Sequence, residues 1–293
     1  GESSELDVVQ SGHTVLLLDE GSGKAGIVDP ATSSITKNLP LPTNEPHVFI
    51  AGGNVVVTDG DGEVWIMPSD DFEHFDPQTP ANLSLGADST FAIDDEGFLI
   101  AYSRDAHLIY RIDAAMTATV VETRDVVFGG AASDLSVTWV GAIWAILDAA
   151  TRSLVIGGKV VDLSEIVRAG ERPKLQVPSR SGSGVLLATS SALYSIPETG
   201  GAPVALVSEQ SGNVAQPLVI NGCIYAAWSV GTAWKSCSGD DPVTMSLANM
   251  TAGAVRLAFK HNGDRIVLNA PHGGGSWAVQ SHGELIDNWD GLE

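Results

Sequence analysis

The chain has 293 residues, with 36 acidic against 15 basic side chains, a formal charge of −21, 44% hydrophobic residues, 32 glycines and two cysteines. A chain of this length buries roughly three quarters of its unfolded surface, enough for a core without a metal or disulfide framework, and its apolar content argues against disorder. The negative charge repels phosphate backbones and anionic headgroups, which excludes nucleic acid and membrane surfaces as expected partners.

No basic stretch followed by an apolar one opens the chain, and residue 1 is Gly, so it reads as an excised fragment whose targeting segment lies upstream. From there a phrase of four short β-rich runs and Gly/Asp turns recurs about every forty residues. In the first unit the second and third runs are Thr14 to Leu18 and Ala25 to Asp29; in the second they are Asn54 to Thr58 and Val64 to Pro68. Between the latter pair, Asp59-Gly60-Asp61-Gly62-Glu63 sets alternate carboxylates in a glycine turn. That is half the opening of an oxygen-ligand calcium loop, but the later bidentate Glu is lacking and the segment sits between two strands, so a hairpin turn using Asp-Gly for its positive φ is the favoured reading. Asp59 and Asp61 are the weak metal candidates, and calcium is the one cofactor they suggest.

The third unit holds the turn Asp94-Asp95-Glu96-Gly97, then Phe98 to Tyr102 and Ile109 to Asp113. In the fourth, Val137 to Leu147 is the longest apolar-rich stretch, far short of the ~18 residues a spanning helix needs, so no bilayer crossing is expected. Ala142 to Leu147 and Ser153 to Ile156 are its runs, and Ser164 to Ala169 reads as a short helix capped by Ser164. Residues 168–184 form the one candidate linker, but the repeat continues across them into Val185 to Thr189 and Leu193 to Pro197. In the sixth unit Cys223 and Cys237 bracket a hairpin with its turn at Val230, a register that opposes Trp228 with Thr232, Ala226 with Trp234, and the two cysteines with each other. Opposed cysteines in a non-hydrogen-bonded pair come within bridging distance, which favours a disulfide and an oxidising compartment over two buried thiols. Arg265 to Asn269 and Ser276 to Gln280 complete the seventh unit.

Seven units of four short strands with almost no helical periodicity predict an all-β, seven-bladed β-propeller as a single domain over 1–293, with tandem β-sandwiches as the alternative. The predicted blades are 5–44, 45–86, 87–130, 131–170, 171–211, 212–250 and 251–293. In that topology the loops joining blades and those between second and third strands share a face, which places His47, Asp59, His107, Trp228 and His272 together as a speculative ligand-binding set. Six tryptophans (65, 139, 144, 228, 234 and 277) fall in predicted strands and read as blade packing more than as a stacking platform for sugars. No nucleophile elbow, phosphate-cradling loop, nucleotide-binding fingerprint or Cys-x-x-Cys occurs, and no catalytic residue is nominated.

The closing stretch Phe259 to Asn269, with Ser276 to Gln280 and Leu285 to Trp289, resembles the end of the N-terminal propeller region of large actinobacterial surface proteins. The opening Val8 to Asp19, the Leu39-Pro40-Leu41-Pro42 segment and the cysteine hairpin are similar too. In that family the region precedes tandem fibronectin type III or Ig-like domains. The resemblance implies an exported or cell-surface protein with an upstream anchor or signal, continuing beyond Glu293 into β-sandwich repeats, and it carries no known reaction. The expected function is therefore a monomeric, non-catalytic extracellular module binding an unknown protein or glycan, or a scaffold. The alternative is a metal-dependent lactonase, lyase or hydrolase with its site at the central channel.

Overall fold

The computed structural model describes residues 6–19, 21–29, 31–32, 34–128, 134–250, 256–262, 265–270, 275–280 and 283–286. It is a seven-bladed β-propeller of four-stranded antiparallel sheets. Two compact units divide the chain, residues 1–129 with blades 1 to 3 and residues 130–293 with blades 4 to 7. Charge divides with them: the first unit has 22 acidic and 5 basic residues, the second 14 and 10.

In the first unit, blade 1 is β1 (Leu6–Ser11), β2 (Thr14–Asp19), β3 (Lys24–Asp29) and β4 (Ser34–Pro40). Blade 2 is β5 (His47–Ala51), β6 (Asn54–Thr58), β7 (Glu63–Pro68) and β8 (Leu83–Ser84). Blade 3 is β9 (Ser89–Ile93), β10 (Phe98–Ser103), β11 (Leu108–Asp113) and β12 (Thr119–Asp125). Alternation sends Val55, Val57 and Trp65 into a core shared with Leu16, Leu18 and Ala25 of blade 1, while Val56, Val64 and Ile66 pack on Leu99, Ala101 and Ile112 of blade 3. A sheet buried on both faces must be apolar at successive positions, which is why β6 reads Val-Val-Val.

In the second unit, blade 4 is β13 (Leu135–Val140), β14 (Ile143–Asp148), β15 (Ser153–Ile156) and β16 (Lys159–Asp162). Blade 5 is β17 (Lys174–Leu175), β18 (Gly184–Ala188), β19 (Leu193–Pro197) and β20 (Val204–Val207). Blade 6 is β21 (Leu218–Ile220), β22 (Cys223–Trp228), β23 (Thr232–Cys237) and β24 (Val243–Ser246). Blade 7 is β25 (Ala258–Asn262), β26 (Arg265–Ala270), β27 (Gly275–Ala278) and β28 (Glu284–Leu285).

The second and third runs of every unit lie on the second and third strands of a blade, with ends shifted by a residue or two. The cysteine hairpin pairs in the expected register, Cys223 with Cys237, Ala226 with Trp234 and Trp228 with Thr232. Its three-residue turn bonds Gly231 N to Trp228 O at 3.1 Å, with Gly231 at φ +94°.

The helix reading needs correction, and a helical element not read from the sequence is present. Ser164 to Ala169 forms no helix: Val167 N reaches Leu163 O at 2.8 Å for one turn, and the amide of Ser164 itself donates to Asp162 Oδ1 at 2.8 Å. Ser164 therefore follows an Asx turn instead of capping a helix. The helical element among the described residues is a 3-10 helix at Ser69–His74, which buries Phe72 against Phe75, ring centroids 5.8 Å apart. The inner strand of blade 5 is cut to two residues by Pro173 and Pro178, and the chain then splits its pairing. Val177 N donates to Pro217 O and Ser179 N to Trp139 O, both at 2.9 Å.

Candidate functional site

His47 begins β5 and is exposed; Asp59 follows β6 and is 6% exposed; His107 lies in the exposed β10–β11 turn at φ +55°. Topology sets these three at one end of neighbouring blades 2 and 3, because β5 starts where β6 ends and the β10–β11 turn is the counterpart of the β6–β7 turn. The two blades meet there, with Ser89 N of blade 3 reaching Gly60 O of blade 2 at 3.5 Å.

The carboxylates of the β6–β7 turn point to three different tasks. Asp59 Oδ1 accepts from the amides of Asp61 at 3.1 Å and Glu63 at 3.0 Å, closing its own turn. Asp61 Oδ1 accepts from Asn44 Nδ2 at 2.9 Å, and Glu63 Oε1 from the Ser84 hydroxyl at 2.6 Å. Gly62, at φ +84°, gives the turn its left-handed position. Burial holds the Asp59 carboxyl above its usual range; the Glu63 amide pulls it back, and the neighbouring charge of Asp61 pushes it up again. The Asp-Gly hairpin is thus what the segment forms. Among the described residues, no three His, Cys, Asp or Glu side chains gather as a metal ion would require.

Trp228 has to be removed from the ligand set. It ends β22 with 0% exposure, and its indole nitrogen donates to Thr189 O at 2.9 Å, so it has no surface to offer. The other strand tryptophans, 65, 139, 144, 234 and 277, are buried as well. Indole N–H groups go to backbone carbonyls: Trp65 to Thr79 at 2.8 Å, Trp139 to Gly141 at 3.0 Å and Trp277 to Ala248 at 2.9 Å. His272 lies outside the described residues.

A recurring polar position went unread in the sequence. At the exit of the second strand in blades 1 to 6 a polar side chain accepts a backbone amide, as Asp59 does in blade 2: Asp19 Oδ1 takes Ser22 N at 3.2 Å, and Ser103 Oγ takes Ala106 N at 3.2 Å. Asp148 Oδ1 takes Ala150 N at 2.9 Å, and Thr189 Oγ1 takes Ala192 N at 3.1 Å. In blade 6, Ser229 Oγ takes Asn213 N at 2.8 Å. The signal was available, since an Asp, Ser or Thr follows the apolar run in each of these six units. Cys223 and Cys237 form a disulfide, with a Cα–Cα separation of 4.0 Å.

No protein-family model matches the chain, and no curated protein does. Among solved structures it is similar to the computationally designed protein Ika8, with TM-score 0.62 and 15% identity, covering 98% of this chain and 87% of that one. It is similar to BamB from Moraxella catarrhalis, with TM-score 0.51 and 13% identity, covering 90% of this chain and 79% of that one. Virginiamycin B lyase from Staphylococcus aureus gives TM-score 0.54 and 11% identity, with 90% of each chain covered. At such identities the likeness is one of fold.

Proposed function

We propose that the chain is a non-catalytic extracellular β-propeller, a protein- or glycan-binding or scaffold module on the N-terminal side of a larger surface protein. The observation that carries this reading is how the loop carboxylates are used. Asp59, Asp61 and Glu63 each accept a hydrogen bond that fixes a turn or an adjoining segment. Carboxylates committed to shaping loops make a rigid presenting surface, whereas acid–base work needs them aimed at a common reacting atom. The Cys223–Cys237 bridge supports an oxidising compartment. The resemblance of residues 259–289 and of the opening strands to actinobacterial surface propellers supports a cell-surface setting with sandwich repeats downstream.

One observation favours a second reading: virginiamycin B lyase shares the fold, so a metal-dependent lyase, lactonase or hydrolase is the rival. The purified chain, incubated with calcium, magnesium or manganese and a panel of lactones and cyclic depsipeptides, separates the two by mass spectrometry of products. The expected result is no turnover with any metal, together with saturable binding on a glycan or surface-protein array. Metal-dependent turnover would replace this reading with the rival one.

A further inference from the structure

The Cys223–Cys237 bridge closes the open end of the β22–β23 hairpin, but strand pairing continues on both sides of it. Inside it, six residue pairs run from Cys223–Cys237 to Trp228–Thr232; outside it, Ser238 N still donates to Gly222 O at 3.2 Å. The hairpin is also tied to both neighbouring blades, through Trp228 Nε1 to Thr189 O and Lys235 Nζ to Gln280 O, each at 2.9 Å. Its geometry is therefore fixed by bonds other than the disulfide. Both cysteines are half-buried, Cys223 at the edge of the blade 6–7 core, while Ala226, Ala227 and Trp228 further along β22 are fully enclosed.

We propose that Cys223–Cys237 is a reversible thiol–disulfide couple that opens and closes within the folded blade, with low-molecular-weight thiols as its exchange partners. The thiolate of the incoming thiol attacks one sulfur; the S–S bond breaks, and its electron pair leaves on the other cysteine, which takes up a proton. A second thiol attacks the mixed disulfide and leaves two protein thiols and one oxidised reagent disulfide, a two-electron exchange. The strand register keeps the two thiols opposed after reduction, so re-closure is intramolecular. The exposed 238–242 turn that leaves Cys237 is the segment that loosens while the bridge is open. This inference does not depend on the proposed function.

The experiment uses the full chain without denaturant, treated with graded dithiothreitol, quenched by alkylation and followed by intact mass and near-ultraviolet circular dichroism. The expected result is doubly alkylated protein at a rate proportional to dithiol concentration, with the tryptophan signal unchanged and the bridged mass restored by oxidised glutathione. A reduction rate independent of dithiol concentration, or a tryptophan signal lost with the bridge, would overturn the proposal. In the C223A/C237A double variant, the expected outcome is a native near-ultraviolet spectrum, with faster amide exchange confined to 238–242. A double variant that fails to fold makes the bridge an obligatory staple and also overturns it.

Discussion

The indole nitrogen of Trp228 donates to the carbonyl oxygen of Thr189 at 2.9 Å, joining the exit of β22 in blade 6 to the exit of β18 in blade 5. Thr189 uses its own hydroxyl and amide to close the β18–β19 turn, so a single residue holds its turn and anchors the next blade. Trp228→Phe removes the donor together with the five-membered ring of the indole, leaving a small cavity. The expected loss is about 1–3 kcal/mol in denaturant unfolding for the buried carbonyl left without its partner, and the cavity adds to it. An unchanged midpoint and slope would show that the bond contributes nothing.

Gly62 and Gly12 both have positive φ, at +84° and +57°, but their surroundings differ. A Cβ on Gly62 would lie 2.8 Å from the carbonyl carbon of Gly86 and closer still to its oxygen, whereas nothing lies within 4 Å of one on Gly12. Gly12→Ala should therefore cost about 1 kcal/mol for its backbone conformation alone. Gly62→Ala should cost more than about 3 kcal/mol, because backbone must move as well. Thermal unfolding of the two variants side by side reads the difference, and equal losses would contradict the predicted clash.

Asp94 closes the β9–β10 turn by accepting the amides of Glu96 at 2.9 Å and Phe98 at 2.8 Å. Burial, foremost, raises its carboxyl above the ordinary value; the Phe98 amide and the Arg111 charge work against the rise, and Asp95 adds to it. Between the ordinary and the raised value the folded state holds a proton that the unfolded state has released, so stability falls as pH rises through that window. Asp94→Asn keeps an acceptor oxygen without the charge and should flatten this dependence in urea titrations at successive pH values. Asp94→Ala leaves two amides unclosed and should cost about 1–2 kcal/mol at neutral pH.

Glu171 runs the other way. Its burial raises the carboxyl, but the amides of Arg168 and Ser190 outweigh burial and leave it lowered. Oε2 accepts from Arg168 N at 2.9 Å and Oε1 from Ser190 N at 2.5 Å, fastening the blade 4–5 connection to the β18–β19 turn. Its contribution is therefore present above the ordinary carboxylate value and lost as pH falls through the depressed one. Glu171→Gln turns an NH2 group toward one of the two amides and should cost about 1 kcal/mol at neutral pH. The gap to the parent should close on acidification, and a gap constant with pH would contradict the charge-assisted account.

What the sequence disclosed follows from local rules. Residues 223–237 give their register because a three-residue turn fixes every opposed pair, and the glycine-turn reading of 59–63 rests on φ preferences that a tetrapeptide already carries. Ser69–His74 was opaque because Phe72 is its single buried side chain, leaving no periodicity to detect. β8, β17 and β28 have two residues each, too few for alternation to register. Trp228 was misjudged because the last residue of a strand belongs to both the sheet and its end. Only packing against blade 5 decides which, and that contact lies 39 residues away.

The outer strands of blades 1, 3 and 5 each carry an extra residue, Thr36, Val121 and Leu206, where the register shifts against β3, β11 and β19. Two of these strands, β4 and β12, are seven residues long, and the three present exposed Ile35, Val120, Val121, Val204 and Leu206. Left straight, such rims would be templates for sheet growth from one molecule to the next. The extra residue bends the strand and interrupts the row of outward N–H and C=O groups that an incoming strand would need in step. Copies of this chain packed side by side at high density should therefore meet through side chains alone, and stay separable after prolonged crowding.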